Sequence, residues 1–296
     1  MNFVQAIGSL ETGLIYGIVA TGVWLTFRII NFADLTVDGS FALGAAVTSS
    51  MIAGGSDPVT ASVCGALGGF LAGAFTGFLF LKAGIIEILT GILTMTGLYS
   101  VNLRIMGSPN IGLFGQDTLF FAGSLWGLSG KTWMLILISG LLVLLLSFLF
   151  KTNFGMSLRA SGQNPRVSRS FGINTSGAKL FVIGLSNGLV AFGGALFCQS
   201  EGFADSSMGG GTIIAIAGLA AVVIGESVFK NKSIFVRLLG CFAGSVIYRI
   251  AVSYALNASS FGLKSSDLSL ISTVLVILAM QIPRYKKFKS KMVAFS

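Results

Sequence analysis

The sequence predicts an all-α, polytopic transmembrane helical bundle of about nine spans. Three observations predict it. Only 10% of the 296 residues are charged and 54% are apolar, where soluble domains carry about 25% charged residues. Mean hydropathy is +0.89. Apolar runs of 18 residues or more recur along the chain, and about 20 apolar residues in a helix cross a hydrocarbon core of about 30 Å. A transmembrane β-barrel would show short alternating segments instead. The whole chain, 1–296, reads as one transmembrane domain.

The candidate spans are 8–28, 36–54, 59–81, 84–104, 132–150, 178–199, 208–229, 236–257 and 267–283. The first lacks the basic n-region and A-x-A site of a cleaved signal and is read as retained. Between the first and second lies "NFADLTVDGSF" (31–41), which sets Asp34 and Asp38 with Asn31, Thr36 and Ser40 between two greasy stretches. Two readings stay open. In one, Asp34 or Thr36 caps the incoming helix, Gly39 allows a break and Ser40 caps again. In the other, a broken helix lines a translocation pathway, with its freed backbone facing protein or water. Holding the helix is the leading expectation, and charge logic puts the stretch in the cytoplasmic half.

In the third span Gly69, Gly73 and Gly77 recur every fourth residue and make one small face for close helix packing. "SNGLVAFGGAL" (186–196) and "IAIAGLAAVVIGE" (214–226) have similar spacing. Between the fourth and fifth spans, "TLFFAGSLWGL" is too short to cross and suits an interfacial or re-entrant position. Glu87 and Glu226, near the ends of the fourth and seventh spans, are expected to neutralise Lys or Arg of neighbouring loops. Arg249, a dozen residues into the eighth span, must snorkel or find a partner, and an acidic one inside the bundle is expected.

Nineteen Lys and Arg against ten acids make the net charge +9. With the N-terminus outside and the spans alternating, 15 of the 19 fall on or near the cytoplasmic side, and the tail "RYKKFKSK" ends inside. The basic excess is therefore topological bias plus attraction to anionic lipid, and nucleic acid is not an expected partner. Cys64, Cys198 and Cys241 lie far apart in apolar runs and histidine is absent, so neither a disulfide framework nor a metal site is expected. "SGKT" (129–132) is no phosphate-binding loop: G-x4-G-K-[ST] needs Gly at 125, where Leu stands. Outside, "CQSEGFADSSMGGG" (198–211) offers Glu201 and Asp205 to a docking protein.

The longest polar stretch, 151–178, contains "PRVSRSF" between Asn164 and Gly172. Asn164 suits an N-cap, Pro165 the first helical position and Gly172 the residue past the end. Arg166 and Arg169 share one face and Val167 and Phe171 another. Such a helix suits docking to a partner protein or lying on lipid headgroups.

"LRASGQNPRVSRSFGIN" resembles the cytoplasmic loop of ABC-importer permeases of the branched-chain amino acid and ribose type, where Gly162, Asn164, Pro165, Gly172, Ile173 and Asn174 match the family pattern. "NFADLTVDGSFALGAA" and "AIAGLAAVVIGE" resemble two further stretches of that family, and the double-Asp form is most similar to a subgroup associated with aromatic or other amino-acid uptake. The resemblance implies a permease subunit of the bacterial-type inner membrane, paired with a second permease subunit as a homodimer. Two ATP-binding subunits would dock on a coupling helix comprising Gly162, Asn164, Pro165, Arg166, Arg169, Phe171, Gly172, Ile173 and Asn174. A solute-binding protein would deliver the solute from outside. ATP and Mg would be used by the partner subunits, with no cofactor on this chain and no enzyme activity of its own. An amino acid is the expected solute. A sugar or nucleoside is the alternative, and a stand-alone secondary transporter or channel is the reading from another class.

Overall fold

The computed structural model describes residues 3–120, 124–125, 128–207, 213–229 and 233–257, with isolated positions between 270 and 281. The ninth predicted span (267–283) lies largely outside the described residues, and the basic tail entirely so.

Helix α1 (Phe3–Trp24) runs into a π-turn, Leu25–Ile29. Asn31 then takes a left-handed φ of 50°, which a short polar side chain tolerates better than most. Its Nδ2 donates to the Gly162 carbonyl at 3.4 Å. The chain turns here and α2 (Thr36–Ala53) begins. The interruption therefore lies before Thr36. The expected break at Gly39, with Ser40 as a second cap, is not formed, because α2 passes through both without a gap. Gly39 serves packing instead: a Cβ there would fall 3.0 Å from Met95 Cα.

Helix α2 is the axis of the fold. Fourteen of its 18 residues are buried, sheathed by α3 (Pro58–Leu81), α4 (Glu87–Met106), α8 (Thr175–Glu201) and α9 (Ile213–Val228). The most extensive helix–helix contact is between α3 and α8. A Cβ on Gly69 would lie 2.2 Å from Ala191 Cβ, and one on Gly73 2.6 Å from the Ile183 carbonyl oxygen. The glycine face read from the sequence is thus the α3–α8 seam, where contact between backbones replaces the hydrophobic drive that lipid cannot supply. The two helices run antiparallel. Ser62 accepts from Gln199 Nε2 at 2.8 Å near one end, and Gly77 faces Leu180 near the other.

The remaining helices are α5 (Gly130–Lys151), α6 (Asn153–Gln163), α7 (Pro165–Ser170) and α10 (Ile234–Asn257). Strand β1 (Asn110–Gly112) pairs antiparallel with β4 (Phe203–Asp205), and β2 (Ser124–Leu125) with β3 (Leu128–Ser129). Among its described residues, the stretch between α4 and α5 is therefore strand and turn with no spanning helix. Outward faces of α3 and α5 carry Leu67, Leu71 and Phe75, and Leu137, Leu144 and Phe148, all more than half exposed. Such surfaces suit hydrocarbon.

Among the described residues, six helices are long and apolar enough to cross a membrane: α1 with its π-turn, α3, α4, α5, α8 and α10. Two of the nine predicted spans fall short. Polar residues dilute α2, which is possible because protein and not lipid surrounds it. Helix α9 has 16 residues, about 24 Å at 1.5 Å per residue.

Candidate functional site

The start of α2 assembles four of the predicted polar residues, and each of the four is fully buried. Asp34 Oδ1 accepts from the Thr36 amide at 2.8 Å, an Asx turn leading into the helix, while the cap position itself falls on Leu35, which makes no side-chain cap bond. Asp34 Oδ2 accepts from Asn187 Nδ2 at 2.6 Å. The same Nδ2 donates to the Ile183 carbonyl at 3.0 Å, and Asn187 Oδ1 accepts from Ser40 Oγ at 2.7 Å. Thr36 and Thr76 hydroxyls meet at 3.0 Å. A buried carboxylate is costly unless its oxygens are hydrogen-bonded. Here both are, and the bonds tie α2 to α3 and α8.

Asp38 is arranged differently. Its Oδ1 accepts from the Ile214 and Ala215 amides at 3.1 and 3.0 Å. It thus caps α9 from another helix, meeting two of the four orphan amides at the positive end of that helix dipole. Its Oδ2 is buried without a partner, as are both side-chain polar atoms of Asn102. Asp38 and Asn102 line one cavity of about 220 Å³, together with Met95, Tyr99, Ser206 and Ser207. The cavity runs from Gly39 and Met95, near the middle of α4, to Asn102 toward the end of α4 and Ser206 and Ser207 just past β4.

The structure separates the remaining candidates from this cluster. Asn31 is exposed and binds α6. Arg28 pairs with Glu226, joining the π-turn to α9, which is the neutralisation expected of Glu226. Glu87 opens the first turn of α4, and forms no ion pair among the described residues. Arg249 has no acidic partner there: its guanidinium lies over the Tyr16 ring, 3.7 Å from the centroid. The aromatic face takes the role expected of a carboxylate.

Asn187 and Asn102 were not singled out in the sequence. Each is the one asparagine of a long, mostly apolar helix, and that position was the available signal. A second unforeseen group is Glu11, which accepts from Thr132 Oγ1 at 2.5 Å and pairs with Lys131 Nζ at 3.3 Å.

At the α6–α7 end the sequence signals appear as geometry. Asn164 Oδ1 accepts from the Val167 amide at 3.2 Å, Pro165 opens α7, and Gly172 has a φ of 78°. Asn174 Oδ1 caps α8 by accepting from Gly177 at 3.0 Å. Arg169 Nε donates to Thr175 Oγ1 at 3.1 Å, bracing α7 against α8, while Arg166 is exposed and Ile173 half-buried. Val167 is 48% and Phe171 80% exposed. Gly162 belongs to the interior instead: a Cβ there would fall 1.6 Å from the Ile29 carbonyl oxygen. It seats α6 on the π-turn and offers no docking surface.

A bundle of membrane-crossing helices around a polar axis, with a short capped helix at one end, is the architecture of an integral membrane protein that suits a transport permease. The chain belongs to the family described as branched-chain amino acid transport system, permease component, which it matches over residues 5–281. It is 36% identical over 274 residues to a tyrosine transport system permease protein of Clostridioides difficile, covering 92% of this chain and 88% of that one. It is 27% identical over 277 residues to a ribose import permease protein of Bacillus subtilis, covering 92% and 82%. The fold is similar to that of PsaBC from Streptococcus pneumoniae, with a TM-score of 0.55 at 16% identity over 98% of this chain and 96% of that one. The chain is thus a permease component of an ABC importer, not an enzyme, and ATP hydrolysis belongs to a separate subunit.

Proposed function

We propose that this permease passes an amino acid into the cytoplasm by alternating access, as half of a homodimer carried on two ATP-binding subunits. Helix α7 is the observation that carries the coupling role. Its caps fix a six-residue helix while Val167 and Phe171 remain uncovered. In a polar loop an exposed apolar pair suits a groove on a partner protein. Arg166, Arg169, Ile173 and Asn174 complete the docking end. The partner supplies ATP and Mg chemistry and this chain binds no cofactor. The likeness to a tyrosine permease supports an amino acid as solute. The likeness to a ribose permease favours a sugar as the second reading.

In this reading all of 1–296 is one domain in an inner membrane, with nine spans, the N-terminus outside and α7 and the C-terminus inside. An extracytoplasmic solute-binding protein docks near β1 and β4, where Glu201 and Asp205 lie. The test is co-purification from membranes with an ATPase bearing a Walker motif, followed by uptake assays on proteoliposomes loaded with ATP. ATP-dependent, vanadate-sensitive uptake of tyrosine but not ribose is expected. Uptake of ribose alone would overturn the solute, and retention of the ATPase after residues 165–171 are replaced by a Gly-Ser linker would overturn the coupling role.

A further inference from the structure

At the end of the bundle that carries α7, a cavity of about 160 Å³ opens between three parts of the chain that lie far apart in sequence. The end of α1 and its π-turn bring Trp24 and Arg28 to it, α6 brings Arg159 and Gln163, and α10 brings Ile234 and Arg237. Among the described residues, no acidic side chain lines it. Glu226 pairs with Arg28 from outside the wall.

Arginines spread over a solvated face need no common partner. These three converge on one recess, beside a tryptophan that is 1% exposed. Like charges in a recess repel more strongly than on open surface, because water and salt screen them less. The local hydrogen bonding leans the same way. Trp24 Nε1 and Arg159 Nε are buried without an acceptor, so this corner is short of acceptors and not of donors. The arginines themselves stay within reach of a ligand: Arg28 and Arg237 are exposed and Arg159 is half-buried.

The chemistry that suits such a recess is an anion with several oxygens. A guanidinium meets phosphate oxygens two at a time. A tetrahedral phosphate can also take donors arriving from three directions, which a flat carboxylate cannot. One water needs about 10–15 Å³ of such space, so a cavity of about 160 Å³ has room for a phosphate. Apolar surface stands close by. Phe235, next to Ile234, is 37% exposed, and Phe148, near the end of α5, is 72% exposed. Helices α5 and α10 are in contact. A basic recess between helices, with exposed apolar side chains beside it, suits an anionic lipid headgroup whose acyl chains run along the bundle.

We infer that this cavity binds a phosphate group, carried by an anionic phospholipid or free in solution, with Arg159 and Arg237 as its donors and Arg28 shared with Glu226. Bound there, the phosphate ties the π-turn, α6 and α10 together beside α7.

The test uses the intact permease–ATPase complex in a mild detergent. Its affinity for a fluorescent phosphatidylglycerol is read by anisotropy, and its Tm is read with phosphatidylglycerol, phosphatidylcholine, inorganic phosphate, or chloride at matched ionic strength. Arg159→Gln and Arg237→Gln should each weaken phosphatidylglycerol binding about tenfold, as for one charge-assisted hydrogen bond. Arg159→Lys should recover part of that loss. Arg104→Gln removes the same charge from an exposed position in the last turn of α4 and should change nothing. The Tm of the unaltered complex depends on no variant. A rise with phosphatidylglycerol, but not with phosphatidylcholine or phosphate, assigns the cavity to a lipid headgroup. A rise with inorganic phosphate over chloride, lost in Arg159→Gln, assigns it to free phosphate. No rise with either would overturn the site. So would lipid binding that both cavity variants leave unchanged, or that Arg104→Gln weakens equally.

Discussion

The start of α2 and the short helix α7 sort their side chains in opposite ways. At α2, Asp34, Thr36, Asp38 and Ser40 are wholly buried. At α7, Val167 and Phe171 stand in the open. Each violates the usual rule that polar groups face water and apolar groups do not. The difference lies in who supplies the partner. At Asp34 the same chain supplies it, through Asn187 and Thr36. At α7 nothing among the described residues covers the apolar pair, although backbone and caps are complete. An interior polar group with partners holds a fold together, and an exterior apolar group on a rigid helix is what the proposed docking role of α7 requires.

The strongest way to break this comparison is at the joint between the two regions. Gly162→Ala would drive a Cβ into the Ile29 carbonyl oxygen, and a backbone contact that close has no rotamer escape. Little monodisperse protein is expected by size-exclusion chromatography, whereas Gly97→Ala, with open space at its Cβ position, should behave as the parent.

Asn187→Leu comes next. It removes the donor to Asp34 and the acceptor from Ser40 at once. Stranding a buried carboxylate oxygen costs about 3 kcal/mol, seen as a lower Tm in detergent. Replacing Asp34 and Asn187 together, as Asp34→Ala with Asn187→Leu, should cost less than the sum of the single changes, since neither then strands the other.

Phe171→Ala sharpens the contrast from the other side. Its exposure predicts a stability change within about 0.5 kcal/mol, yet affinity for the ATP-binding subunit should fall about tenfold, as for a central apolar anchor. A large drop in Tm with unchanged ATPase binding would reverse the reading of α7.

The smallest effect is expected at Arg28 and Glu226. The Arg28 side chain is 52% exposed and that of Glu226 26%, so Arg28→Ala should cost less than about 1 kcal/mol. That difference should shrink further in high salt, checked by Tm at two ionic strengths.

Much of the α7 end was legible because its signals are local. Asn164, Pro165 and Gly172 act within one turn of their own positions, and their residue types state the backbone geometry directly. The face of Gly69, Gly73 and Gly77 was legible for the same reason, since a period of four on a helix is a face whatever the neighbour. Its partner, α8, was not named, because a run of small residues looks alike on every helix. Asn187 and Asn102 were hidden differently. Asn187 meets Asp34 across 153 positions of chain, and no local period links them. The position of the helix interruption was misplaced at Gly39 because glycine permits both a break and a close contact, and only the neighbour at Met95 shows which one is used.

The sequence by itself determined that this chain is a helical membrane bundle, that its basic excess is consistent with an inward bias, and that one short polar helix starts at Asn164 and ends before Gly172. Composition, span length and capping chemistry act over a few residues, so they survive reading in one dimension. Only the tertiary structure decided that α2 is the polar axis, that Asp34 is fully satisfied, and that Asp38 gives one oxygen to α9 and keeps the other free. Hydrogen bonds reach only about 3 Å, and which groups come that close is set by the packing of helices distant in the chain.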